Sequence, residues 1–190
     1  EDFLFFRCNI ILFFTTNKEQ QNNSLNNKAK IFTELVEKNQ GIIHKVCRIY
    51  TDDKDSHDDL FQEIVLQLWR SYDSFKGDSK FSTWMYRVSL NTAITLIRKK
   101  TKSSETDFNE AQFLNLKSDD KDEFLEERIT LLYAAIRLLN DVERALVLLF
   151  LEDLPYKDIA ETLGISEVNA RVKMNRVKIK LKEIMSKMEQ

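Results

Sequence analysis

"YKDIAETLGISEVNARVKMNRVKIKL", residues 156–181, is the stretch from which the rest of the chain can be read. Ala160 is small enough for a second helix to cross closely over the first, and Gly164, four residues later, supplies the turn. Ile159, Leu163, Ile165 and Val168 are expected to form the seam between the two helices, and Ser166 to cap the second. Ala170 stands where such a pair more often carries a larger aliphatic residue, which predicts a looser seam there. The spacing is that of a helix-turn-helix. An ordinary helical hairpin shares the spacing, so the surface has to decide between the two. Arg171, Lys173, Arg176 and Lys178 crowd the second helix. From Ser166 to Lys187 there are 7 basic and 2 acidic residues, a balance that favours a phosphate backbone as partner. Glu167, Asn169, Arg171 and Lys173 are types that reach base edges and phosphates in a major groove.

Working outward, the chain reads as all-helical. Its 190 residues contain only 3 glycines and 1 proline, too few for the turns that hairpins demand. Gly41, Gly77, Pro155 and Gly164 each fall where a hydrophobic periodicity breaks and are expected to punctuate helices. Helical spacing is visible at Ile31–Val36 and again in "IIHKVCRIY" (42–50), with Gly41 as the expected interruption. "TDDKDSHDD" (51–59) predicts a break and a helix cap. In the next helix, 59–72, Leu60, Phe61, Ile64, Val65, Leu68 and Trp69 make one stripe, and Asp59, Gln62, Glu63 and Arg70 lie opposite. A further helix runs from about 81 to 100, with Phe81, Met85, Val88 and Thr92 expected to face the core. Periodicity then fades, and from Thr101 to Arg128 there are 9 acidic and 4 basic residues, which marks a linker. The expected layout is an extension at 1–27, a helical domain at 28–100, an acidic linker at 101–125 and the helix-turn-helix domain at 126–190.

The bulk composition narrows the function classes. A formal charge of −2 excludes a wholly basic nucleic-acid glue, so any such contact must be local. Cys8 and Cys47 have no CxxC partner, and His44 and His57 stand apart, so neither a metal site nor a disulfide framework is expected, nor any cofactor. A reducing cytoplasm suits that cysteine usage. "FLFFRCNIILFF" (3–14) is too short to span a bilayer and carries Arg7. It follows Glu1 and Asp2 rather than a basic start, so it does not read as a signal peptide, and no role is assigned to it.

"DSKFSTWMYRVSLNTA" (78–93) asks for more than packing. Phe75, Phe81 and Trp84 lie among Lys76, Lys80, Arg87 and Arg98, a mixture suited to an unpaired strand whose bases stack on aromatic rings. Spacing alone leaves this reading and a core role for Phe81 and Trp84 equally open.

Resemblance separates them. "DDLFQEIVLQLWRSYDSFKGDSKFSTWMYRVSLNTA" (58–93), followed by "LPYKDIAETLGISEVNARVKMNRVKIKLK" (154–182), resembles bacterial RNA polymerase sigma factors of the extracytoplasmic-function group. Their two conserved parts are called region 2 and region 4. The resemblance implies a promoter-specificity factor with no enzymatic activity and no small-molecule substrate. Asp59, Gln62, Glu63 and Arg70 would dock on the clamp of core RNA polymerase. Lys76, Lys80, Phe81, Ser82, Thr83, Trp84, Arg87, Asn91 and Arg98 would hold the melted minus-ten strand. Ser166, Glu167, Asn169, Arg171, Lys173, Arg176 and Lys178 would read the minus-thirty-five duplex. The linker would follow the nucleic-acid path of the polymerase, and an anti-sigma factor is an expected further partner. The rival is a conventional helix-turn-helix regulator binding duplex DNA as a dimer, which leaves "FSTWMYR" without a purpose. An enzyme built on "TDDKDSHDD" and His57 lacks a second ligand cluster and a glycine-rich loop.

Overall fold

The structure, a computed structural model, describes residues 22–103 and 123–188. Most of the expected extension and linker therefore lies outside the described residues. The chain divides into two compact units, 1–40 and 41–190. Among the described residues there are seven α-helices and one short 3₁₀ turn, without a strand, so the all-α reading holds.

Helix α1 spans Asn22–Tyr50 and so begins six residues ahead of the expected helical domain, within the expected extension. It also runs straight through Gly41, correcting the expected interruption. A helical glycine costs roughly 1 kcal/mol relative to alanine, and a 29-residue helix with a long apolar stripe absorbs that. Pro155 and Gly164 do punctuate. Pro155 sits at the N-cap of α6 (Tyr156–Leu163), and Gly164 closes it in the left-handed region at φ 67°, its N–H donating to the carbonyl of Ala160. Gly77 adopts φ 79° in the loop before α3.

Helix α2 (Lys54–Ser71) starts five residues earlier than its apolar stripe suggests. Asp53 explains the difference: its carboxylate accepts from the backbone N–H of Ser56 at 2.7 Å, capping the first turn. Leu60, Phe61, Ile64, Val65 and Leu68 are buried, as the stripe requires. Burying each such side chain contributes about 1.5–3 kcal/mol, so Ile64→Ala is the kind of change this helix tolerates worst.

Helix α3 (Phe81–Ser103) is turned from the expected orientation. Its most deeply buried residues are Met85, Tyr86, Ser89, Leu90 and Ala93, whereas Phe81, Val88 and Thr92 are only partly covered. The reason is long-range. α3 packs on α2 along one side and on α6, from the other half of the chain, along a second side. A stripe counted within one helix cannot register the second neighbour.

The C-terminal helices are α4 (Glu123–Arg137), α5 (Asp141–Leu151), α6 and α7 (Glu167–Met188). Asn140 and Glu143 form a capping box at the start of α5, each side chain bonded to the other's backbone N–H at 3.0 and 3.1 Å. Five consecutive residues, Ala145–Leu149, are buried, which makes α5 the central helix of this half, packed against α4, α6 and α7. Several polar bonds tie the two halves of the 41–190 unit together. The Tyr50 hydroxyl donates to the carbonyl of Asp141 at 2.6 Å, and the Arg48 guanidinium lies 4.1 Å from the Tyr133 ring centroid. Glu152 receives both Lys45 Nζ at 2.7 Å and the Tyr86 hydroxyl at 2.8 Å.

Candidate functional site

Three surfaces carry the residues that the sequence singles out. On α2, Asp59, Gln62 and Arg70 are exposed and Glu63 is half-buried, all pointing away from the buried stripe. This is a polar face of mixed charge beside an intact core. It can take ionic and hydrogen-bonding partners, and the half-buried Leu66 lies among these residues on the same face.

The second surface is the loop before α3 and the outward side of that helix. Phe75, Phe81 and Trp84 form a cluster with ring centroids 5.2, 5.4 and 5.5 Å apart, the 75–81 pair meeting edge to face. Such contacts add about 0.5–1.5 kcal/mol each beyond burial. All three rings are half-buried, so the cluster is both a local core and a partly open apolar face. Gly77 allows the loop to turn back, leaving Lys76 and Lys80 exposed at its sides. The carbonyl of Lys80 accepts from the backbone N–H of Trp84 at 3.1 Å, fixing the first turn of α3. Beyond it, Arg87, Asn91, Thr95 and Arg98 are exposed on the side opposite the buried residues, and Trp84 lies on the same side. Arg98 Nε is 3.5 Å from the Asp141 carboxylate. Ser82 is half-covered and Thr83 is buried, so Thr83 does not share that outward face.

The third surface is α7. Ser166 caps it, its hydroxyl oxygen accepting from the N–H of Asn169 at 3.2 Å. That oxygen is already engaged in holding the helix. Ala170, Met174, Val177 and Leu181 are buried, with Ala170 wholly inaccessible. Val168, expected in the seam, is instead 72% exposed. The buried residues of the two packed helices are Ile159, Ala160 and Thr162 of α6 and Ala170 and Met174 in the first half of α7. Leu163 and Ile165 are half-covered, and Val168 falls on the far side of the helix. Arg171 is braced twice: it pairs with Glu167 at 2.7 Å and lies 4.5 Å over the Tyr156 ring. Lys178 Nζ sits 4.1 Å from the Phe150 ring centroid. Asn169, Lys173 and Arg176 are exposed. Lys180 bonds Glu143 at 2.8 Å. Burial acts to raise the Glu143 pKa, but the bonds from Lys180 and from the Asn140 N–H prevail and hold it below the ordinary carboxylate value.

The structure also brings together groups that look isolated in sequence. His44 Nδ1 lies 3.5 Å from His57 Nε2, the rings stacked at 12°, and His57 Nδ1 lies 3.3 Å from Asp58. Burial, followed by the neighbouring His57, lowers the His44 pKa. Cys47 is buried, and burial first, then the charge of Asp58, pushes its thiol up to about 12. Among the described residues no group of three or more His, Cys, Asp or Glu side chains is placed to hold a metal ion, and no helix is long and apolar enough to cross a membrane. The bonds made by Lys45, Tyr50, Tyr86, Asp141 and Glu152 carry no local sequence signal, since their partners are 66 to 107 positions away.

Comparison with known proteins finds two matched regions. Residues 35–103 match the family described as Sigma-70 region 2, and residues 129–181 match Sigma-70, region 4. The chain is 32% identical over 158 residues to the ECF RNA polymerase sigma-E factor of Escherichia coli strain K12, covering 75% of this chain and 81% of that protein. It is 27% identical over 133 residues to the RNA polymerase sigma factor YlaC of Bacillus subtilis strain 168, covering 68% of this chain and 77% of the relative. Among solved structures, the sigma factor RpoE in complex with the anti-sigma factor NepR from Bartonella quintana shares the fold, with a TM-score of 0.68 at 18% identity, covering 83% of this chain and 98% of that one. CnrH, solved with the cytosolic domain of CnrY, has a TM-score of 0.60 at 20% identity, covering 87% and 93%. Two matched regions in the right order, an all-helical fold shared with solved sigma factors, and this degree of identity lead to one conclusion: the chain belongs to the extracytoplasmic-function (ECF) sigma factors of RNA polymerase.

Proposed function

We propose that this chain directs core RNA polymerase to promoters through three separate surfaces. The polar face of α2, with Asp59, Gln62, Glu63 and Arg70, docks on the polymerase clamp. The loop 76–82 and the outward side of α3 hold the melted minus-ten strand, with Lys76, Lys80, Phe81, Ser82, Trp84, Arg87, Asn91 and Arg98 in contact and Thr83 supporting from beneath. The start of α7 enters the minus-thirty-five duplex, where Glu167, Asn169, Arg171, Lys173, Arg176 and Lys178 meet bases and phosphates and Ser166 keeps the helix capped. Residues 28–100 and 126–190 serve as the two working domains, and 101–125 as the linker along the nucleic-acid path.

The observation that carries this reading is the outward side of α3. A half-buried Trp84 lies in line with exposed Arg87, Asn91 and Arg98. An aromatic face beside cations suits an unpaired base and its phosphates, since stacking contributes about 1–3 kcal/mol per base and offsets the cost of extrusion. A regulator that read only duplex DNA would gain nothing from that face. The chain works in the cytoplasm, beside polymerase and promoter. Two solved relatives were captured with partner proteins, one of them named an anti-sigma factor, which supports a similar restraining partner here.

The experiment is transcription in a purified system: this chain with bacterial core polymerase on supercoiled DNA carrying its own upstream region. A discrete start that needs both components is expected. Absence of polymerase binding in the same sample, together with no transcript, would overturn the proposal.

A further inference from the structure

We propose that Val168 and Val172 read thymine methyl groups in the minus-thirty-five element. This rests on the reading of α7 as the helix that enters the upstream duplex. Val168 is 72% exposed, Val172 44% and Ile179 62%. At about 100° per residue, these three fall within about 40° of one another around the helix. The buried residues Ala170, Met174, Val177 and Leu181 centre on the opposite side. The ridge pointing straight out from the domain, where charge would cost least, is therefore apolar, with Asn175 as the polar member between the valines and Ile179.

The cations flank this ridge rather than occupy it. Arg171 and Lys178 lie on one side, and Lys173, Arg176 and Lys180 on the other. A helix with cations on both flanks and an apolar ridge between them has the charge pattern of a duplex groove, with phosphates at both walls and a floor of base edges. In the major groove the only apolar feature on that floor is the thymine C5-methyl group. Guanine, cytosine and adenine edges offer only donors and acceptors there, which valine would desolvate without compensation. Arg171 is additionally held to the side by Glu167 and the Tyr156 ring, which leaves the ridge to the valines. Val168 and Val172 are about 6 Å apart along the axis, within two base-pair steps of each other. Ile179 lies about 16 Å from Val168, farther than the groove is wide at about 12 Å, so the reading is confined to the first two.

The test uses holoenzyme formed from the full chain and core polymerase, bound to linear duplexes carrying the promoter mapped upstream of the chain's own gene. Each thymine of the upstream element is replaced in turn by deoxyuridine, which removes the methyl group and nothing else. One or two positions should weaken binding by about fourfold, the effect of burying one such group. Val168→Ala or Val172→Ala should abolish the difference at one of them. Both valines lie outside the core, and circular dichroism of the variants serves as the folding control. An upstream element without thymine, a uniform response to deoxyuridine, or variants that keep the wild-type sensitivity would overturn the proposal. So would variants that lose polymerase binding, which would make the ridge a protein contact. Failure of the underlying reading looks different: scrambling the whole upstream element would leave wild-type affinity unchanged.

Discussion

The Tyr86 hydroxyl donates to Glu152 Oε2 at 2.8 Å across 66 positions of sequence, and the same oxygen accepts Lys45 Nζ at 2.7 Å. One carboxylate thus joins α1 and α3 to the end of α5. Burial and this bond both raise the Tyr86 pKa, so the phenol stays protonated and remains the donor. Tyr86→Phe should destabilise the chain by about 1.5–3 kcal/mol, the usual worth of a hydrogen bond to a charged group. Urea unfolding of the two proteins measures it. A double change with Glu152→Gln should cost less than the sum of the single changes, because both touch one bond.

Gly41→Ala should stabilise the chain by roughly 0.5–1 kcal/mol, because it replaces a glycine inside α1 with the best helix former. A Cβ placed there meets nothing within 4 Å, so no steric penalty opposes the gain. A thermal midpoint at or below that of the parent would contradict the expectation.

Trp84→Ala removes two of the three contacts in the Phe75–Phe81–Trp84 cluster, and a loss of about 2–4 kcal/mol in stability is expected. Below the unfolding temperature, binding to core polymerase should survive while promoter opening falls by tenfold or more. Permanganate footprinting of the melted strand, set beside a pull-down with polymerase, separates the two effects. Equal loss of both would assign Trp84 to the core alone.

Arg171→Ala should weaken use of promoters that depend on the upstream element by about tenfold and lower the salt slope of binding by about 1. Its exposed pair with Glu167 contributes at most about 1 kcal/mol, so the fold should be little affected. Promoters that do not need the upstream element should respond weakly.

Acid should destabilise the chain through His44. Its folded pKa lies below the ordinary 6.5, first because of burial and then because of His57, with Asp58 opposing. Stability from this group is therefore complete above about pH 6.5 and is lost as the pH falls through the lower folded value. His44→Asn should flatten that part of the profile, read as thermal midpoint against pH between about 7 and 5.

Much of this architecture is written in local pattern. The α2 stripe, the Ser166 cap, the Gly164 turn and the all-helical composition each depend on residues within a few positions of one another, where helical geometry is the only rule needed. Gly41 misleads because a single glycine costs less than a long helix gains. α3 is turned because Tyr86 and Leu90 are covered by elements far along the chain, which no period within the helix can register. Val168 fails for a related reason: an apolar residue next to a turn looks like core until the opposite face proves full. The outward groups, Arg87, Asn91 and Arg171, were recognisable by residue type and spacing, but the bracing of Arg171 by Tyr156 emerges only once α6 and α7 are folded together.

The junction at Glu152 also has a thermodynamic side. The minus-ten and minus-thirty-five elements, as their names state, lie about 25 base pairs apart, a distance of about 85 Å along the duplex. The contacts of α3 with α6 and of Lys45 with Glu152 draw the two halves together, and a form that grips both elements at that separation is expected to release them. Each tenfold by which the packed form outweighs the extended one therefore subtracts tenfold from the apparent affinity of the free chain for a whole promoter.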